Sequence, residues 1–229
     1  MAQSGRQLPL SFPESMLDFE AMAQTPANAR AFAAIRNVER WAQSRFFLTG
    51  SAKSGLTALA AAWAAERKGL YVDAGSNEDI AALTPDLLGN LALAIDNADQ
   101  CVDEAWLLTM LSAAQRQDTY VLLTSHGPPS EWPIKIPDLR SRLLATPLVV
   151  LGPPDDALMR ARLKRAASRF GLSLPKPVED YLVVRLGLSY TAIEDTVRTL
   201  AGAAGGRHSL TVPLARAALE FGSGQGEDA

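Results

Sequence analysis

Apolar positions follow two periods up to about residue 151 and only one beyond it. Short unbroken apolar runs at 45–49, 70–73, 91–96, 119–125 and 148–151 read as buried parallel strands. Stretches at helical spacing separate them. Pro26-Ala27-Asn28 opens a helix that places Ala31, Phe32, Ile35, Val38 and Trp41 on one side, after an irregular segment from Leu17 to Thr25. A helix over 57–68 is closed by Gly69, and one or two short helices occupy 77–89, broken near Pro85. The helix over 104–117 aligns Trp106, Leu107, Met110, Leu111 and Ala114, and a short one over 137–144 takes Asp138 as its cap.

At Gly152-Pro153-Pro154 the alternation stops, and four helices follow: 155–170 (closed by Gly171), 178–186, 190–204, and a last one after Val212-Pro213 ending near Phe221. The expectation is an α/β three-layer domain with a parallel sheet over 17–152 and a small all-helical domain over 153–222. An extended N-terminal peptide (1–16) precedes them, and a Gly-rich acidic tail (223–229) is expected to be disordered.

Composition narrows the class. The chain has 229 residues, 48% of them hydrophobic, enough for a real core and too apolar for a disordered chain. The net charge of -3 gives no reason to expect sequence-specific DNA binding. One cysteine, Cys101, excludes an internal disulfide and fits a reducing compartment. No run approaches the length of a membrane span, and no basic leader precedes an apolar stretch; the expectation is a cytoplasmic protein without membrane contact.

The chemistry gathers where the first strand meets the next helix. The phosphate-loop pattern is Gly, four residues, Gly, Lys, then Ser or Thr. Here Gly50 and Gly55 bracket Ser51, Ala52, Lys53 and Ser54, and Thr57 supplies the closing hydroxyl, but Leu56 stands in the lysine position. Backbone N–H groups at a helix N-terminus form an anion nest without any lysine, so a diphosphate can still be held. Leu56 argues against hydrolysis by the chain itself, and a Gly-rich turn that binds nothing stays open. Asp96 ends an apolar run, where a parallel sheet places ligands and a phosphate-loop protein holds Mg²⁺; a strand-end cap is the plain alternative. Asn97 occupies the place of a second acid and is a poor base. Thr124-Ser125-His126 ends another strand at the same edge, His126 being a polar sensor or catalyst, or a loop histidine without a nucleophile partner. The N-terminal Gln7, Leu8, Leu10 and Phe12 present one apolar side with a polar anchor, either a docking peptide or a strand laid on the domain. A basic stripe of Arg160, Arg162, Lys164, Arg165 and Arg169 reads as a solvated helix face.

Together the loop, Asp96, Thr124-Ser125, an arginine-bearing helix and a helical lid resemble the AAA+ family. Leu123-Thr124-Ser125-His126-Gly127-Pro128-Pro129, followed by Ile136-Pro137-Asp138-Leu139-Arg140-Ser141-Arg142-Leu143, resembles its DnaA branch, as does Pro26-Ala27-Asn28. The likeness covers about residues 17–221. The chain stops after the lid, where DnaA continues into a DNA-binding domain, and Gln7-Leu8-x-Leu10-x-Phe12 resembles the peptide that docks on the bacterial sliding clamp. The combination is similar to the Hda family, the regulatory inactivators of DnaA.

That resemblance implies a regulator of replication initiation that binds the DNA polymerase III sliding clamp (beta) and stimulates hydrolysis of DnaA-bound ATP in trans, with Arg142 as the arginine finger. It implies a replisome- or nucleoid-associated location and ADP as a structural ligand, with Mg²⁺ only if nucleotide is bound. Leu56, and Thr191 where the family carries a lid arginine, lower that expectation to weak or absent nucleotide. A homodimer, a self-sufficient ATPase, a clamp-loader-like subunit and an adaptor without stimulating activity stay open.

Overall fold

The computed structural model describes residues 19–89, 92–205 and 208–223. The described residues form two compact units. The first comprises Arg30–Ser51 and Gly55–Leu151 with the described residues before Ala23; the second comprises Ala23–Ala29, Ala52–Ser54 and the chain from Gly152 onward.

In the first unit five parallel strands, β1 (Arg45–Gly50), β2 (Leu70–Asp73), β3 (Leu93–Asp96), β4 (Val121–Ser125) and β5 (Leu148–Leu151), lie in the order β2-β3-β4-β1-β5. The three inner strands are buried along their whole length, which is why they read as continuous apolar runs instead of alternating ones. Alternate residues feed two cores. On one face Phe46 and Leu48 of β1 pack with Ala94, Leu122 and Val149 against helices α1 (Ala29–Arg36) and α2 (Leu56–Glu66). On the other, Phe47, Val72, Ile95 and Leu123 pack with Trp132 and helices α4 (Glu104–Arg116) and α5 (Pro137–Leu144). The short helix α3 (Asn77–Ala82) follows β2, capped by the Ser76 hydroxyl. Trp63 of α2 is fully buried, donates its ring N–H to the Ile35 carbonyl at 2.9 Å and stacks on Trp41.

The link from α2 to β2 needs glycine at 69 for space. A Cβ there would lie 2.3 Å from the Ala92 carbonyl oxygen, closer than any side chain is tolerated.

Two local expectations are corrected. The first helix ends at Arg36 rather than running on to Trp41. The Asn37 side chain donates back to the Ala33 carbonyl at 2.7 Å, and single 3₁₀ turns carry Val38 and Trp41 into the core instead. Asp138 does not cap α5. Ile136 occupies that position without a side-chain bond and Pro137 fills the first turn, where its missing N–H costs nothing.

The second unit packs four helices, α6 (Asp156–Arg169), α7 (Lys176–Leu186), α8 (Tyr190–Ala204) and α9 (Val212–Ser223), around Met159, Leu163, Leu182, Val197 and Leu200. Asp155 caps α6, accepting from the Leu158 N–H at 2.8 Å and from the Ala27 N–H at 3.2 Å.

No helix among the described residues is long and apolar enough to cross a membrane. Gln7, Leu8, Leu10 and Phe12, and the tail after Ser223, lie outside the described residues.

Candidate functional site

β1 delivers the chain at Gly50 into the loop, and α2 begins at Leu56. Within the loop φ is positive at Lys53 (63°) and at Gly55 (100°), but not at Ser54 between them. Such alternation in the sign of φ can turn successive N–H groups to one concave side, as in an anion nest. The N–H groups of Ser54, Gly55, Leu56 and Thr57 meet no acceptor among the described residues. The Ser54 hydroxyl, in a residue 2% exposed, is likewise without a partner. Free donors at the N-terminus of an eleven-residue helix suit a phosphate oxyanion. Gly50 and Ser51 lead into this nest, Ala52 and Lys53 are exposed on it, and Thr57 is half-buried at the helix start. Leu56 is buried in the α1–α2 core, so the lysine position has become a packing position.

At the C-terminal ends of β2, β3 and β4 a polar node forms around Asp96, which is fully buried. The Tyr71 hydroxyl donates to Asp96 Oδ2 at 2.9 Å, and the Thr124 hydroxyl donates to Asp96 Oδ1. Asn97, at φ 51°, donates its side-chain amide to Asp73 Oδ1 at 3.0 Å, and its backbone N–H reaches Thr124 Oγ1 at 3.2 Å. Burial first, and the neighbouring Asp96 charge second, push the Tyr71 phenol well above its ordinary value. Both Asp96 oxygens are thus engaged by hydroxyl donors, which makes Asp96 a structural node of the sheet edge. No group of three or more His, Cys, Asp or Glu able to hold a metal occurs among the described residues. The donors fit a phosphate at the loop; the Asp96 node, as arranged, offers Mg²⁺ little.

The parallel register brings Thr124 to Asp96, as its place at a strand end requires, but His126 stays apart. It is 42% exposed in its side chain and lies 3.7 Å from Asp99 Oδ2.

Arg142 sits in the last turn of α5, immediately before β5. Its Nε donates to both Asp138 oxygens at 3.1 and 3.2 Å, and Nη1 donates to Gln115 Oε1 at 3.0 Å. The side chain is held in a defined direction while remaining 27% exposed. Arg140, two residues earlier, is exposed on another side. Thr191 is exposed, its hydroxyl 3.0 Å from that of Ser189.

The basic stripe on α6 is not a free positive face. Arg160 pairs with Asp180 at 2.5 Å, Lys164 with the buried Glu179 at 3.1 Å, and Arg169 with Glu194 at 2.6 Å. Arg162 leaves the stripe altogether. Within the second unit it donates to the Lys53 carbonyl at 2.9 Å and to the Ser54 carbonyl, with its guanidinium 4.7 Å from the centre of the Tyr190 ring. Burial holds its pKa below the usual arginine value. Spacing carries the one local signal of this: an arginine two positions from Arg160 leaves the helix on a different side.

No protein-family model matches the chain. Among solved structures, domain III of the Thermotoga maritima replication initiation protein DnaA superposes with a TM-score of 0.72 at 15% identity, covering 89% of this chain and 95% of that one. AMPPCP-bound DnaA from Aquifex aeolicus gives 0.64 at 18% identity over 83% and 68% of the two chains. The Thermotoga maritima RuvB Holliday junction branch migration motor gives 0.65 at 15% identity over 89% and 71%. Against a replication initiator DnaA bound to AMPPCP and single-stranded DNA, matched at a TM-score of 0.64 and 19% identity, the likeness spans 80% of this chain and 64% of that one, under two-thirds of its length. The chain therefore carries the α/β fold of DnaA domain III, an AAA+ fold.

Proposed function

We propose that the protein regulates replication initiation: it docks on the DNA polymerase sliding clamp through Gln7, Leu8, Leu10 and Phe12 and stimulates hydrolysis of DnaA-bound ATP in trans, switching the initiator off in the manner of the Hda family. The observation that carries this reading is Arg142, oriented by Asp138 and Gln115 at the end of α5 and still open to solvent. A guanidinium presented this way can offset charge on a phosphoryl group in transfer, an effect worth about 10³–10⁵ in rate. The chain's own loop is poorly equipped for turnover, because Leu56 is packed into the core and Asn97 stands where a base would be. Its role is then to hold ADP as a structural ligand, or no nucleotide at all.

The test is hydrolysis of DnaA-bound ATP in the presence of clamp loaded on DNA. Wild-type protein should accelerate it. Arg142→Ala should abolish the acceleration while clamp binding persists, and the Gln7→Ala/Phe12→Ala variant should fail through loss of the clamp. No acceleration by a wild-type protein that binds both partners would leave the second reading, an adaptor that recruits DnaA without acting on its nucleotide. The Asp138 contact, in which the single Arg142 Nε–H is shared between both carboxylate oxygens and holds the side chain on its own helix, favours that reading.

A further inference from the structure

Arg162 touches the phosphate loop from its carbonyl side. All peptide bonds among the described residues are trans, so the C=O of one residue and the N–H of the next point in opposite directions. The Lys53 carbonyl opposes the Ser54 N–H, and the Ser54 carbonyl opposes the Gly55 N–H. Arg162 takes both carbonyls. The two N–H groups behind them face away from the guanidinium and meet no acceptor among the described residues. A cation bonded to a carbonyl draws electron density along the peptide unit and makes its N–H a stronger donor, as bonds in a chain polarise one another.

We infer that Arg162 is a positioning residue that makes the loop an oxyanion receptor in spite of Leu56, fixing and polarising the Ser54 and Gly55 peptide groups from behind. This rests on the reading that the loop receives the diphosphate of a nucleotide. Three observations independent of the Arg162 bonds point to a ligand there: the alternating φ signs at Lys53 and Gly55, the free N–H groups, and the unpartnered Ser54 hydroxyl in a residue 2% exposed. The guanidinium is itself held in place, lying against the Tyr190 ring, whose hydroxyl donates to the Gly152 carbonyl at 3.1 Å. A lysine at position 56 would supply its charge directly to the outer phosphates. Arg162 supplies positive potential through two peptide groups instead, so it favours binding without touching the phosphate whose transfer hydrolysis requires. The chain thereby becomes a diphosphate holder without the lysine that position 56 would supply for transfer.

The experiment is binding of ADP, and separately of inorganic pyrophosphate, to the full chain, measured by calorimetry, with amide proton shifts of Ser54 and Gly55 read by NMR without ligand. Arg162→Met should weaken both ligands about tenfold or more, the scale of one lost charge-assisted interaction, and move both amide protons upfield. Arg162→Lys should recover part of the binding, and Arg165→Met, on the same helix but exposed, should change nothing. If wild type binds and Arg162→Met binds equally well or more tightly, Arg162 does not serve the nest and the inference falls while the phosphate reading survives. If amide shifts stay put although affinity drops, the effect is structural and the inference falls. If wild type binds neither ligand at millimolar concentration, the phosphate reading fails and the inference with it.

Discussion

The Tyr71 hydroxyl lies 2.9 Å from Asp96 Oδ2, both groups buried, at the point where β2 and β3 end side by side. A buried carboxylate needs donors, and Tyr71 and Thr124 are the two hydroxyls that supply them. Tyr71→Phe removes one donor and leaves the charge in place, so it should lower unfolding stability by about 2 kcal/mol in urea at neutral pH. The pH dependence has a definite sign. The phenol is held above its ordinary value of about 10, so the unfolded chain loses this proton first. The contribution is fully present below about pH 10 and fades as pH rises beyond it. Wild type should lose stability steeply above pH 10, and Tyr71→Phe should lose less over the same interval; parallel curves would show that the phenol does not couple to folding.

Asn97 adopts φ 51°, a left-handed conformation that Asn and Asp tolerate, and donates toward Asp73 and, at 3.5 Å, Asp96. Asn97→Asp keeps the shape and replaces the donor by a third carboxylate facing two others. We expect a loss of about 1–3 kcal/mol at pH 7 that shrinks toward pH 4, where the added group takes up a proton, and no phosphate release from ATP. Thermal melts at the two pH values, with a phosphate-release assay on the same sample, check both halves; a variant of unchanged stability would mean the amide contributes no net bond.

The sheet was legible because its inner strands are buried on both faces, and Leu93 to Asp96 or Val121 to Ser125 can be little else than central parallel strands. The helices expected at 137–144 and 190–204 have those limits, set locally by Pro137 in the first turn of one and by the Ser189 cap and the left-handed Gly205 of the other. What escaped was set by partners distant in sequence. Asp138 carries the signature of a cap, yet Arg142 one turn later takes it as an ion-pair partner. Arg162 belongs by spacing to a solvated stripe, and nothing local says that its guanidinium reaches carbonyls more than a hundred positions earlier. Leu56 was visible as a missing lysine, but not as a member of the α1–α2 core.

Asp155 joins two backbone N–H groups far apart in the chain, those of Leu158 and Ala27. Asp155→Ala should destabilise the helical unit by about 1–2 kcal/mol, the usual worth of a lost helix cap. The Leu158 N–H bond, foremost, holds this carboxyl below its ordinary value, so its contribution is present above about pH 4 and is lost as pH falls further. Wild type and Asp155→Ala should therefore converge in stability toward pH 2, and a constant gap across that range would show the effect to be unrelated to the charge.

Arg45 opens β1 with its side chain buried to 3% exposure. Nη2 donates to Gln43 Oε1, while Nε and Nη1 are buried without an acceptor. Burial chiefly, and the like charge of Arg142 secondarily, hold its pKa below the usual arginine value. A buried cation with no anion opposes folding, and removing it for an apolar chain of similar length is commonly neutral or stabilising by about 1–4 kcal/mol. Arg45→Met should accordingly raise the urea midpoint with an unchanged denaturant slope. The substitution also removes a like charge near Arg142, which favours the Asp138 contact that, on the proposed function, competes with a partner's phosphate. If the proposed function holds, stimulation of DnaA-bound ATP hydrolysis should therefore be lower in the more stable variant. A variant both less stable and equally active would show that Arg45 is satisfied within the fold and exerts no pull on the Arg142 equilibrium.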